Sequence, residues 1–431
     1  MGSGLIGFLV LFALLFLGVP IAFGLVIVGF AGFTVLNGLD PALAMVGQIT
    51  FTTVLNEDMS VIPLFVLMGG FITLSRLSDD LYDAANALLG RFRGGLAMAT
   101  VLACAGFASV CGSSFATVAT ISKVAMPPMR RYRYADSLAT GSIASGSTLG
   151  IMIPPSVPLL IYGILTRTDV GVLFIAGVLP GLLGGLLYIA AILCVTWRDP
   201  DAGPRGQKAS GKQVFDALRG VWGVATLFVC IIGGIYLGVF TANEAAGIGA
   251  AGGLVFALAR KSVTWSSLIA TLVDSAKTTG IIFFVLIGAL MFGNFIDIVR
   301  LPQGLTEWIG GSGLAPLAVI LAILAIYLVL GCVLDSMSML LLTVPLFYPI
   351  VQGLGFSLVW FGILVVTMIE ISLITPPVGL NVFVLKSLVP DVSTGTIFRG
   401  VLPFVSADLV RVALLVLFPG IALLLPRLMG S

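Results

Sequence analysis

Charged side chains are scarce in this 431-residue sequence: 9% of residues are charged, whereas 59% are hydrophobic. A soluble domain carries about a quarter of its residues as charged side chains, so this chain cannot cover a water-facing surface and must expose most of its surface to lipid. The net charge of only +2 gives no reason to expect a nucleic-acid partner. Histidine is absent, which excludes histidine metal sites, histidine general bases and Ser-His-Asp catalysis.

Other catalytic patterns are missing too. The five cysteines form no CxxC pair and lie in apolar segments, so we expect them to be small packing residues; they are Cys104, Cys111, Cys194, Cys230 and Cys332. An intramembrane protease would need HExxH, a Gly-x-Gly-Asp motif facing a second aspartate, or a serine with a histidine partner, and none is present. We therefore expect no enzymatic activity and no cofactor beyond an alkali cation.

Long apolar runs are the main feature that the sequence does contain. Residues 5–33 and 170–197 carry no charge, and runs of about 20 apolar residues are typical of membrane spans. No basic segment or A-x-A cleavage site precedes Ile21, so the first run is predicted to be a retained span. The alternation of a transmembrane barrel is absent. The sequence predicts an all-α polytopic protein, one membrane domain over residues 1–431 with about 10 to 12 spans.

Positive charge predicts the topology. Lysine and arginine cluster at residues 76–93, 130–133, 198–219 and 260–261, and the positive-inside rule places these loops in the cytoplasm. The opposite loops, residues 36–41, 166–169 and 297–302, hold at most one arginine each. This alternation predicts a cytoplasmic N-terminus and an external C-terminus.

Two apolar segments fit this topology only as re-entrant hairpins. Residues 96–124 have basic residues on both sides, Arg93 and Arg130, so the segment must return to the cytoplasm. By the same argument residues 314–351 enter and return from outside. The alternative is that each segment forms two ordinary spans with a very short turn.

An internal repeat supports the hairpins. Pro154-Pro155 and Pro376-Pro377 lie 222 residues apart, and the same offset relates Ser113-Ser114 to Asp335-Ser336. Residues 65–70 also resemble residues 284–289. Three features in one order predict two repeats, residues 1–197 and 217–431, joined by a cytoplasmic linker at 198–216. The topology gives the repeats opposite orientations, an arrangement that secondary transporters use around a midplane site.

Small and hydroxyl residues accompany the first Pro-Pro pair. Two prolines break a helix and free carbonyls that must face protein or a wet cavity. Such carbonyls and hydroxyls suit an alkali cation, and helix N-termini suit an anion. The cluster contains Gly112, Ser113, Ser114, Thr117 and Thr120, facing Ser142, Ser145, Gly146, Ser147 and Thr148. The alternative explanation is close helix packing through small residues.

A second cluster surrounds the other break. It contains Asp335, Ser336 and Ser338, facing Ser372, Thr375, Gly379 and Asn381. Because a carboxylate in an apolar hairpin is costly, Asp335 is a candidate ligand for a cation or for substrate; the alternative is pairing with a buried lysine or arginine. Ser60 and Thr279 occupy equivalent repeat positions and could complete the ion sites.

Three other charged residues receive structural predictions. Asp408 and Arg411 lie three residues apart in the last span and are expected to pair with each other. Glu244 follows Thr241 at an apparent helix start and is expected to cap that helix.

Several motifs resemble the large membrane subunit of tripartite ATP-independent periplasmic (TRAP) transporters. They are Gly112-Ser113-Ser114 with Ala116-Thr117, residues 150–155, TANEAAG at 241–247, Asp335-Ser336-Met337-Ser338 with Thr343-Val344-Pro345, and EISLITPPVGLN at 370–381. The similarity covers essentially the whole chain. It implies a scaffold, a moving elevator-like transport part with two hairpins, sodium coupling, a small four-helix membrane subunit, a periplasmic binding protein and an organic acid as substrate.

The resemblance also implies positions for the site, in an inner-membrane protein whose C-terminus is periplasmic. By position, sodium would be bound by Ser113, Ser114 and Gly146, and by Gly331, Asp335 and Thr375. Together with the two clusters this gives an ion-binding set of Ser60, Gly112, Ser113, Ser114, Gly146, Thr148, Thr279, Gly331, Asp335, Thr375 and Gly379. The substrate-binding set is Ser145, Ser147, Pro154, Pro155, Ser336, Ser338, Pro376, Pro377 and Asn381.

Two other transport functions compete with this prediction. A stand-alone sodium- or proton-coupled anion carrier would share the hairpins and the breaks but would need no binding protein. A channel would need repeated rings of ligands, usually from several subunits, and inverted repeats favour alternating access instead.

Overall fold

The computed structural model describes residues 2–75, 77–206, 208–311, 313–331 and 334–429. Within these ranges the chain forms twenty α-helices and three short 3₁₀ helices, and no strand. The all-helical prediction is therefore confirmed for the described residues.

The first ten helices belong to the predicted first repeat. They are α1 (Gly2–Phe16), α2 (Ile21–Asn37), α3 (Leu39–Leu55), α4 (Val61–Leu74), α5 (Leu77–Leu89), α6 (Gly95–Cys111), α7 (Ser114–Arg131), α8 (Asp136–Gly146), α9 (Val157–Thr166) and α10 (Val170–Arg198).

The remaining ten helices span the linker and the predicted second repeat. They are α11 (Gly211–Tyr236), α12 (Ala242–Ala259), α13 (Trp265–Ile298), α14 (Leu301–Gly311), α15 (Pro316–Gly331), α16 (Ser336–Gly353), α17 (Leu358–Ser372), α18 (Leu380–Leu388), α19 (Thr394–Leu417) and α20 (Gly420–Leu428).

Both predicted hairpins contain a pair of helices, α6 and α7 in the first and α15 and α16 in the second. In the first, α6 ends before Gly112, whose φ of +64° favours glycine, and Ser113 caps α7 by accepting a hydrogen bond from Ala116 N at 3.3 Å. In the second, Asp335 caps α16. Their return to one side of the membrane, like the inverted repeat, stays a prediction.

The two hairpins approach from opposite ends of α10. Gly94, just before α6, lies so close to Thr196 near the end of α10 that an added methyl group would be 3.0 Å from the Thr196 methyl. Leu358, just after α16, accepts a hydrogen bond at 2.7 Å from the Tyr162 hydroxyl in α9, which precedes α10.

Both Pro-Pro pairs interrupt helices. The first lies between α8 and α9, where only a 3₁₀ turn at Leu149–Ile151 intervenes, and the second lies between α17 and α18. Both Pro-Pro peptide bonds are cis. Each break leaves half-helices of 9 to 15 residues.

A reversal near the N-terminus contradicts part of the predicted topology. Residues 5–33 do not form one span: the chain turns between α1 and α2 at Gly18, whose φ is +83°. Gly7 and Gly32 consequently both pack against the Phe295 ring. The N-terminus therefore lies at the same end as residues 297–302, and a cytoplasmic N-terminus cannot hold together with an external 297–302 loop. A local turn residue, invisible to charge counting, causes the error.

The number of long spans is smaller than the predicted 10 to 12. By length and composition, five described helices could cross a membrane, or up to seven if two bent pairs each count as one. Further apolar helices of 10 to 17 residues account for the difference, because turns and prolines divide apolar runs that the sequence presents as continuous.

Candidate functional site

A cavity of about 580 Å³ lies where the two hairpin tips meet. Residues 112–116 of the first tip and 335–337 of the second line it, together with residues of α4 and α13. The first Pro-Pro break contributes Pro155, and the residue after α17 contributes Leu373. The hairpin-tip residues of two clusters predicted from separate halves of the sequence thus line a single compartment, of a volume suited to a small ligand.

The structure divides the predicted site residues into two groups. Those that line this cavity are Gly112, Ser113, Ser114, Pro155, Asp335 and Ser336. Those outside its lining are Ser60, Ser145, Gly146, Ser147, Thr148, Pro154, Thr279, Gly331, Ser338, Thr375, Pro376, Pro377, Gly379 and Asn381.

Asp335 acts as the N-cap of α16. One carboxylate oxygen accepts hydrogen bonds from Met337 N at 3.1 Å and Ser338 N at 3.2 Å, and the other accepts one from the Ser338 hydroxyl. The ion pairs of the described residues do not include Asp335, so it is not the partner of a buried cation there. Its charge lies at the positive end of α16 and faces the cavity.

Asp335 also borders a second, smaller compartment. This space of about 300 Å³ is lined by the α1–α2 turn and by Leu334, Asp335 and Ser338. The second hairpin tip therefore separates two cavities, and Asp335 is exposed to both of them.

Asn381 belongs to the first hairpin and not to the Asp335 cluster. Its side-chain oxygen accepts a hydrogen bond from the Ser114 hydroxyl at 2.9 Å, and its amide nitrogen donates to Ala144 O at 3.1 Å. Asn381 and Ser114 are both buried. This contact joins the predicted second repeat to the tip of the first hairpin, a connection that equal spacing along the sequence does not reveal.

The residues before the first Pro-Pro break are packed inside the protein. The Ser147 hydroxyl donates to Ile143 O at 2.6 Å, and the Thr148 hydroxyl donates to Ser145 O at 2.8 Å. Gly146 packs against α6, where an added methyl group would lie 3.1 Å from Val101 Cα. Close packing, the alternative raised for this cluster, describes these side chains as the structure places them.

The second break is similarly compact. The Thr375 hydroxyl donates to Ile371 O at 2.6 Å. Gly379 has a φ of +54°, and a methyl group there would lie 3.1 Å from the Phe398 ring. Gly331 lies against Ser372, whose Cβ would be 2.2 Å from an added methyl group. These contacts join α15 to α17 and the start of α18 to α19.

Ser60 and Thr279 are not brought together in the cavity. Ser60 is exposed at the start of α4. The Thr279 hydroxyl is buried without a hydrogen-bond partner, while its neighbour Thr278 faces the cavity.

One face of α13 supplies polar lining that sequence reasoning missed. Thr271, Asp274, Ser275 and Thr278 all line the cavity. Their spacing of three and four residues marks one helix face. That polar stripe inside a helix otherwise rich in apolar residues is the signal that could have identified it.

A buried charge network lies apart from the cavity. Arg411 pairs with Asp408 at 2.9 Å, which confirms the predicted pair, and it also pairs with Glu370. The Tyr188 hydroxyl donates to Asp408 at 2.6 Å. All four residues are fully buried, and they join α10, α17 and α19. The predicted cap is likewise confirmed, because Thr241 and Glu244 form a capping box at α12.

Known proteins of one family resemble this chain over most of its length. The family model described as "Tripartite ATP-independent periplasmic transporter, DctM component" matches residues 8–421. The C4-dicarboxylate TRAP transporter large permease protein DctM of Pseudomonas aeruginosa is 37% identical over 382 residues, 88% of each chain. The sialic acid TRAP transporter large permease protein SiaM of Vibrio cholerae and the ectoine TRAP transporter large permease protein TeaC of Halomonas elongata are each 32% identical, over 96% of both chains.

A solved structure shares the fold at low sequence identity. The YdaH transporter of Alcanivorax borkumensis aligns with a TM-score of 0.59 and 14% identity, over 86% of this chain and 88% of that one.

The isethionate TRAP transporter permease protein DctMQ of Oleidesulfovibrio alaskensis is 31% identical, and the match covers 97% of this chain but 65% of that protein.

Proposed function

Because this chain belongs to the DctM component family of TRAP transporters as a large permease subunit, we propose that it imports a small organic acid with a sodium gradient. In this proposal a periplasmic binding protein delivers the acid, and a small four-helix membrane subunit completes the permease. The chain is a multi-pass inner-membrane protein. In this proposal the N-terminus is on the same side of the membrane as residues 297–302, because Gly7 and Gly32 both pack against Phe295. The positive-inside rule makes that side periplasmic, and we propose the same side for the C-terminus.

The meeting of both hairpin tips in one cavity carries the proposal. Ser113, Ser114 and Asp335 border that cavity, and oxygen atoms of hydroxyl, carbonyl and carboxylate groups are hard ligands that suit an alkali cation. The N-terminus of α7 opens on the same cavity and favours a bound anion, whereas the N-terminus of α16 is already capped by the Asp335 carboxylate. One compartment thus offers sites for a cation and for a carboxylate, as coupled transport requires.

The proposal includes movement of the part that holds the hairpins. This transport part would consist of the α6–α7 and α15–α16 pairs together with the broken helices α8–α9 and α17–α18. An elevator-like displacement would expose the cavity to each side in turn. The names of the relatives cover C4-dicarboxylates, sialic acid and ectoine, so family membership leaves the acid open.

The test is uptake into proteoliposomes that contain the chain and its small subunit. Uptake of labelled organic acids is compared with and without the receptor, and with and without an inward sodium gradient. We expect uptake to need both. Uptake that needs sodium but no receptor would favour the stand-alone carrier, and uptake indifferent to sodium would refute the ion sites.

Two substitutions at Asp335 separate charge from helix capping. Asn is as good an N-cap as Asp, so Asp335→Asn keeps the cap and removes the charge, whereas Asp335→Ala removes both. If the carboxylate binds sodium, both variants lose sodium-driven uptake. If Asp335→Asn retains normal uptake and sodium dependence, Asp335 is only a cap. Asp216→Asn, at an exposed position on α11, is the matched control.

A further inference from the structure

The charges that line the main cavity are all negative. Asp274 and Asp335 are its charged lining residues, and no lysine or arginine of the described chain lines it. Histidine is absent from the whole sequence. For an importer of organic acids this is unexpected, because a substrate with two carboxylates would meet a carboxylate of the protein.

The two aspartates differ in their surroundings. Asp335 is held by the N-terminus of α16 and by the Ser338 hydroxyl. Asp274 forms no hydrogen bond or ion pair within the described residues, and its side chain is exposed. Its carboxyl group therefore lines the cavity from α13 without a counter-charge among the described residues.

The two walls of the cavity, formed by the hairpin tips and by α13, carry different polar groups. The first hairpin tip supplies the N-terminus of α7, which favours a carboxylate; the N-terminus of α16 is taken by Asp335. The α13 wall supplies Asp274 between Thr271 and Thr278. At that wall Asp274 would repel an anionic group of the substrate. It would attract a cationic group, because Asp274 has no other counter-charge among the described residues.

We propose that the substrate carries a cationic group in addition to its carboxylate, and that Asp274 contacts that cationic group. The substrate is then a zwitterion such as an amino acid or a related ammonium or amidinium acid, and it is not a dicarboxylate. The inference rests on the proposed function, since it assigns the main cavity to the transported acid.

The experiment begins with the acid that the purified periplasmic receptor retains, identified by mass spectrometry. Sodium-driven uptake of this acid is then measured in proteoliposomes for the wild type, Asp274→Asn and Asp297→Asn. Asp297 lies on the same helix outside the cavity lining and serves as the control. A direct binding series on the two-subunit complex uses 4-aminobutyrate, succinamate and succinate, which all carry one carboxylate on a four-carbon chain and whose other end is cationic, neutral or anionic.

The proposal expects a retained acid with a cationic group. Asp274→Asn should lower kcat/KM for it by at least about tenfold, because attraction between unit charges about 5 Å apart is worth more than that at an effective dielectric constant of about 20. Asp297→Asn should match the wild type. Among the compounds of the series that bind, the wild type should bind 4-aminobutyrate more tightly than succinate. Asp274→Asn should reduce that difference in affinity.

Three results would overturn the proposal. They are a retained acid without a cationic group, an Asp274→Asn variant with unchanged kinetics, and a variant in which only the sodium concentration for half-maximal uptake changes. The last would assign Asp274 to the coupling ion. Uptake that does not depend on sodium would refute the proposed function instead, and the comparison of Asp274→Asn with wild type would still decide this inference.

Discussion

Replacing Arg411 with methionine removes the only cation from a cluster that also holds Glu370 and Asp408. In the native protein Arg411 pairs with both carboxylates, and all three side chains are fully buried. Gly184 gives the guanidinium its space, since a methyl group there would lie 2.3 Å from Arg411 Nη1. After the substitution, two carboxylates face each other without a counter-charge and without access to water.

The expected cost can be worked from this geometry. Breaking a buried ion pair by removing one partner costs about 3–5 kcal/mol, because a charge remains buried and uncompensated. Arg411 serves two carboxylates, so we expect the upper part of that range. For a chain of this length such a loss lowers the midpoint of thermal unfolding by roughly 5 °C.

The assay is thermal unfolding of the two-subunit complex in detergent at constant pH. Arg399→Met is the matched control, because Arg399 is exposed on the same helix, α19, and we expect its midpoint to stay near that of the wild type. A triple variant, Glu370→Gln with Asp408→Asn and Arg411→Met, should recover part of the loss since it buries no net charge.

Two outcomes would refute this reasoning. If Arg411→Met unfolds at the same temperature as Arg399→Met, the buried network does not stabilise the fold. If the triple variant is as unstable as Arg411→Met alone, the damage comes from lost packing of the long side chain and not from uncompensated charge.

Two further predictions concern contacts between the predicted repeats. Gly400→Ala should destabilise the protein by about 1–3 kcal/mol, because the new methyl group would lie 2.0 Å from the backbone oxygen of Ser137; Gly247→Ala, in open space, should not, and equal unfolding midpoints would contradict this. Ser114→Ala and Asn381→Ala should be non-additive in a double-mutant cycle of unfolding, with a coupling of about 0.5–3 kcal/mol, since the two side chains bond each other; additive effects would exclude that contact in solution.

Local sequence features predicted the elements that carry the site. Proline chemistry predicted the breaks at Pro154-Pro155 and Pro376-Pro377, and a carboxylate among apolar residues identified Asp335. The pairing of Asp408 with Arg411 follows from helix periodicity. Each of these depends on neighbours within a few residues, so it can be derived before the fold is known.

Long-range packing decided the rest. The reversal at Gly18 follows from one backbone angle and moves the N-terminus to the other end of the molecule. The sequence grouped Asn381 with Asp335, but packing of α18 against α7 brings it to Ser114. Asp274 gains its place because α13 is rotated with that face toward the hairpin tips. Residues hundreds of positions apart become neighbours only through the packing of whole helices, and no local pattern records which face a helix presents.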